Sequence, residues 1–129
     1  MLILLLSPPQ FGADQPPPAP KPDCANFRTG HFENRCKTFS STFTRYQTYE
    51  EHQLPGGYFV REEIEWVAAC EYELTLADSD FPALSAENQI GRTLRVRMEN
   101  VTLTQYQEFN VKESGAEWDG CVEVKISPL

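Results

Sequence analysis

Glu62 is the acidic residue whose place in this sequence most suggests chemistry, because it falls in phase with Val60, Ile64 and Trp66 rather than with the charges around it. Side chains along a strand point alternately to opposite faces, so a carboxylate in that phase is carried toward the apolar side. An unpaired buried charge is costly, and such a group must sit at a rim, find a donor or meet a ligand. Glycoside hydrolysis would need a second carboxyl about 5–10 Å away across a cleft. Glu63, Glu65, Glu71 and Glu73 fall in the opposite phase, on the wet face. No catalytic residue is therefore assigned, and a small hydrolase using Glu62 remains an alternative.

Other reactive types are sparse. His31 lies on an expected strand and His52 in a polar turn beside Glu50 and Glu51; neither has a partner at metal-ligand spacing, and both read as surface histidines. No serine sits in a G-x-S-x-G elbow. Asp78-Ser79-Asp80 lacks the remaining positions of a calcium loop. Asn100-Val101-Thr102 matches the glycosylation triplet, which has meaning only in a eukaryotic secretory pathway. No metal and no cofactor is expected. Trp66, Tyr72, Phe109 and Trp118 fit either a core or a pocket wall. Of these, Trp66 and Tyr72 join Glu62 as candidate ligand contacts.

Cys24, Cys36, Cys70 and Cys121 form an even set with no C-x-x-C pair, which points away from zinc-ribbon and thioredoxin chemistry and toward disulfides in an exported chain. Four cysteines allow three pairings, and sequence does not choose among them. The preferred set is Cys24 with Cys70 and Cys36 with Cys121, because the second bridge would tie an early strand to the last one, as closure of a barrel requires. With every thiol given a partner, a cysteine nucleophile is disfavoured.

The elements that must carry these residues are strands. Tyr58, Val60, Ile64 and Trp66, then Cys70, Tyr72, Leu74 and Leu76, alternate with charged or polar residues, which predicts strands over Tyr58–Ala68 and Cys70–Leu76 with a reversal near Ala68-Ala69. Upstream, Phe27–Glu33 is a short strand in which Gly30 marks a bulge or a close backbone approach. Thr38–Tyr49, rich in threonine and aromatics, reads as one strand. Leu54-Pro55-Gly56-Gly57 marks a turn. Downstream, Asp78–Gln89 is the longest loop, with room for one helical turn. Thr93–Glu99 places Leu94, Val96 and Met98 inward, and Val101–Val111 follows. Ser114-Gly115 and Asp119-Gly120 supply turns around Trp118, and Val122, Val124 and Ile126 form a closing strand with its apolar stripe inside.

The chain has 129 residues, enough for one domain, and a net charge of −8. Residues 1–23 read as a signal remnant and proline-rich linker: Met1–Leu6 is apolar, and proline is dense from Gln15 to Pro22. Residues 24–129 form a single β domain. No run approaches the roughly 18 apolar residues of a membrane-spanning helix. The acidic balance disfavours nucleic acid, whose phosphates need clustered lysine and arginine. Arg92, Arg95 and Arg97 are the one local basic group, and Arg95 and Arg97 share a strand face where glutamates can pair with them.

The run Cys24–Phe32, with its C-x-x-F-x-T-G-x-F pattern, together with Glu63-Ile64-Glu65-Trp66, Cys70-Glu71-Tyr72-Glu73-Leu74 and Ile90-Gly91 leading into Leu94-Arg95-Val96, resembles a family of small exported bacterial β-rich proteins of uncharacterised function. The resemblance covers Cys24 to about Val111. It favours the Cys24–Cys70 pairing and implies export, to the periplasm, the envelope or the medium; it supplies no catalytic residues.

Together these readings give an all-β chain, an up-and-down antiparallel meander of about seven strands forming a small lipocalin-like barrel or a strongly curved sheet. The expected protein is a monomeric, exported, non-enzymatic binding or envelope-associated module. One alternative is a carrier of a small apolar ligand; another is a protein-partner or inhibitor module presenting the loop 78–89.

Overall fold

The computed structural model describes residues 23–85 and 89–129. The segment read as signal remnant and linker lies, apart from Asp23, outside the described residues. A 3-10 turn, Cys24–Phe27, leads into eight strands: β1 Gly30–Cys36, β2 Ser40–Arg45, β3 Tyr49–Gln53, β4 Phe59–Ala68, β5 Glu71–Ser79, β6 Thr93–Glu99, β7 Gln105–Lys112 and β8 Gly115–Ser127. Each pairs antiparallel with its sequence neighbours, and β8 returns to β1, so the meander closes into a barrel with no free edge. Among the described residues no helix is long and apolar enough to cross a membrane.

The eighth strand arises because Thr38–Tyr49 is not continuous: β2 ends at Arg45 and β3 starts at Tyr49. Tyr46-Gln47-Thr48 makes the reversal without glycine, proline or asparagine. It is held by the backbone bond from the Tyr46 amide to the Tyr49 carbonyl (2.8 Å) and by stacking of the two rings at 4.6 Å. The reversals near Ala68-Ala69 and at Leu54–Gly57 lie where the sequence places them. Gly30 opens β1 at φ +143°, and a Cβ there would lie 2.8 Å from Lys125 Cε and 3.0 Å from the Ser127 carbonyl; the close approach is to the strand that closes the barrel.

Two expectations for the last strand need correction. Asp119-Gly120 is not a turn; β8 runs through it with an irregularity opposite Gln107–Phe109. The inward side chain of the closing stretch is Glu123, 2% exposed, while Val122 and Val124 point outward and Ile126 is exposed. Register decides this: Cys121 pairs with Cys36, and Glu123 lies between Tyr106 of β7 and Asn34 of β1, both inward. Phe109 and Trp118 pair with each other on the outer face, and Trp118 is exposed, its indole N–H donating to the Cys121 carbonyl.

The turns at one end of the barrel are sealed by an aromatic core of Phe27, Phe32, Tyr72 and Tyr106, each at most 1% exposed, with Val96, Met98, Ile64 and the partly buried Trp66. Phe27 enters from the 3-10 turn, which Asp23 caps through the Ala25 amide. The disulfide Cys24–Cys70 ties that turn to the β4–β5 reversal, and Cys36–Cys121 joins β1 to β8. On the outer face Arg95 and Arg97 both reach Glu71, at 3.1 and 3.0 Å.

Candidate functional site

The opposite half of the barrel is open. A cavity of about 620 Å³ runs inward from a mouth formed by Phe39, Leu54, Pro55, Phe81 and Leu84, past Val60, Leu74, Leu76 and Leu94, to a polar floor. Phe81 and Leu84 belong to the loop 78–89, whose residues 86–88 lie outside the described part, and Asp78 and Ser79 end β5. Eight strands leave an interior just wide enough for packed side chains or one small ligand; here one half is filled by side chains and the other leaves a cavity.

The floor is built on a row of cross-strand partners. Arg45 of β2 faces Glu50 of β3, and Glu50 faces Glu62 of β4. His52, two residues beyond Glu50, shares its face. Like charges side by side on adjacent strands repel, so the Glu50–Glu62 pair is relieved by nearby cations or by a proton on one carboxyl. Arg45, 1% exposed, donates from Nε to Glu50 Oε2 at 3.1 Å, from Nη1 to the Phe27 carbonyl at 3.0 Å, and from Nη2 to the Tyr72 and Tyr106 hydroxyls at 3.3 and 3.0 Å. The two hydroxyls bond each other at 2.8 Å. Arg45 thus forms the boundary between the sealed core and the cavity. His52 stacks on Phe43 and sets Nε2 3.6 Å from Glu50 Oε1 and 3.3 Å from Glu62 Oε1. Glu108 of β7 and Glu123 of β8 complete the floor.

Protonation follows from burial and neighbours. Burial would raise the Glu50 carboxyl, but Arg45 and then His52 outweigh it and hold it at about 2. Burial would lower the His52 imidazole, but Glu50 and then Glu62 hold it above its ordinary value. Glu62 is pushed up to about 7 by burial against the pull of His52. Glu123 also reaches about 7, by burial, against Glu108 and Arg45. Glu108 lies well above the carboxylate range through burial and then the adjacent Glu123.

Glu62 therefore lies in the cavity and is joined there by groups the sequence reading did not assign. His52, read as a surface histidine in a turn, sits instead on the inner face of β3 with its side chain 14% exposed. Trp66 and Tyr72 are not part of the cavity lining: their rings pack at 4.9 Å in the sealed half, with the Arg28 guanidinium over Trp66 at 4.6 Å. Arg45, Glu50, Glu108 and Glu123 were missed because a polar residue on an inner face breaks the apolar alternation from which the faces are read. The one available signal was Arg45 in phase with Phe43.

Glu50, His52 and Glu62 each present one ligand atom within 4.8 Å of the others, a donor set that can hold a divalent ion; it equally forms a closed set in which an imidazolium stands between two carboxylates. Compared with known proteins, the chain matches no family model, no curated protein and no solved structure.

Proposed function

We propose that the protein is an exported, non-enzymatic carrier that holds one small, largely apolar molecule inside its barrel, in the manner of a lipocalin. The observation that carries this reading is the cavity of about 620 Å³, whose walls are mainly apolar, with Gln89, Arg92 and Thr93 among them, in a barrel whose other end is sealed. Ligand sites are typically clefts of about 300–1,000 Å³ with apolar walls and a few placed polar groups. Two disulfides fit an oxidising compartment. Phe81 and Leu84 face the cavity, which favours a ligand inside over a partner outside for the loop that carries them. A fluorescent apolar probe such as N-phenyl-1-naphthylamine should bind with enhanced emission. Val60→Trp or Leu76→Trp, which fill the cavity, should abolish the signal, and undiminished binding in both would overturn the reading.

A second reading has one observation in its favour. Glu62 stands beside His52 and Glu50 in a cleft, raised to about 7, as a general acid would be. A small hydrolase of this kind would turn over chromogenic esters or glycosides, and Glu62→Gln would stop it; no turnover across such a panel removes this alternative.

A further inference from the structure

The cavity floor carries four carboxyls, Glu50, Glu62, Glu108 and Glu123, from four different strands. Two cations meet them. Arg45 is already shared among Glu50, a carbonyl and two hydroxyls, and His52 lies between Glu50 and Glu62. The remaining cation lining the cavity, Arg92, is exposed and bonded to Gln89. Buried polar atoms in proteins almost always have partners. Yet among the described residues three floor atoms form no hydrogen bond: Glu50 Oε1 and Glu123 Oε2, on residues only 1% and 2% exposed, and His52 Nε2, which stands 3.6 Å from Glu50 Oε1. The two carboxyl oxygens are acceptors, and His52 Nε2 has a single N–H to share between Glu50 and Glu62. The floor thus holds more carboxyl acceptor atoms than N–H donors.

A carboxylic ligand would add a fifth acid to this set. A water molecule can partner one acceptor but brings no charge, and a bare metal ion brings charge but nothing to cover Leu74, Leu76 and Leu94. An ammonium group supplies one charge and three donors on a centre small enough to stand among carboxylates. Resting on the carrier reading above, the geometry points to a cationic amine with an apolar body as the ligand, its ammonium donating to the floor carboxylates and its body lying along the apolar walls toward the mouth. The raised Glu62 and Glu123 carboxyls accord with a floor whose countercharge arrives with the ligand.

The test is calorimetric titration, near neutral pH and with EDTA present, of three probes sharing one chain: decylamine, decanol and decanoate. Decylamine binds at least about ten-fold more tightly than decanol, and decanoate binds weakest, since hydrogen bonds to charged groups exceed neutral ones. In the Glu62→Gln/Glu123→Gln variant the amine preference shrinks while decanol binding persists, which also shows that the cavity is intact. Decanol or decanoate binding as tightly as decylamine in the unmodified protein overturns the amine assignment and leaves the carrier reading standing. Binding of none of the three overturns the carrier reading itself. The ranking in the unmodified protein decides, whatever the variant does.

Discussion

Arg45 and Glu50 face each other across the β2–β3 hairpin with Nε 3.1 Å from Oε2 and both side chains 1% exposed. The pair sits where the aromatic core ends and the cavity begins, so it takes part in both the stability of the fold and the shape of the site. Burying two charges repays its cost only when further hydrogen bonds satisfy them. Here the Phe27 carbonyl and the Tyr72 and Tyr106 hydroxyls do so for Arg45.

Arg45→Met leaves Glu50 buried without its cation and should destabilise the barrel by about 3–5 kcal/mol, as breaking buried pairs does. The double variant Arg45→Met/Glu50→Leu removes both charges and should recover much of that loss. Urea unfolding of the three proteins checks this; equal losses in the single and double variants would show that the pair is not what Arg45 contributes.

The two bridges close loops of 46 and 85 residues. On the chain-entropy model each stabilises the fold by about 4 kcal/mol, the longer slightly more. Cys36→Ser/Cys121→Ser and Cys24→Ser/Cys70→Ser should each lower the urea midpoint well below that of the oxidised parent. Peptide mapping under non-reducing conditions should return these two pairs and no others.

Stability should peak in mildly acidic solution. The Glu50 carboxyl, held at about 2 against an ordinary 4.5, contributes fully above 4.5, and that contribution is lost as the pH falls toward 2. Glu62 and Glu123 act in reverse. With values raised from 4.5 to about 7, they favour the fold below 4.5 and lose that contribution as the pH rises through 7. The raised His52 adds a loss at still higher pH, beginning above 6.5. Unfolding midpoints measured at about pH 3, 4.5, 6 and 8 should be highest at the second point, and Glu123→Gln should flatten the fall on the alkaline side. A midpoint that keeps rising to pH 8 would contradict these assignments.

Trp66→Ala separates the two halves of the barrel. Removing a large core aromatic costs about 3–5 kcal/mol, with the lower end expected for a partly buried ring. Because Trp66 does not line the cavity, binding of an apolar probe should survive under conditions where the variant is folded. Loss of binding in the folded variant would place Trp66 functionally in the site after all.

The β4–β5 hairpin was legible because most of its residues alternate: Ile64, Tyr72, Leu74 and Leu76 are buried while Arg61, Glu63 and Glu65 are exposed, with Glu62 the polar exception on the inner face. The β2–β3 hairpin was not, since Tyr46-Gln47-Thr48 contains no turn-forming residue and its reversal depends on ring stacking and on Arg45 meeting Glu50. Glu62 could be marked because apolar neighbours on both sides fixed its phase. Glu123 could not, because the valines beside it gave the opposite phase.

The sequence by itself determined an all-β chain, the positions of most reversals and an even set of cysteines, because alternation and turn chemistry are local properties of the backbone. Only the tertiary structure decided which thiols join, which face of the last strand is dry, and that Arg45, Glu50, His52, Glu62, Glu108 and Glu123 converge. Those outcomes depend on register around a closed barrel. There a buried charge is tolerated only when strands distant in sequence bring its partner, and no short stretch of sequence contains that information.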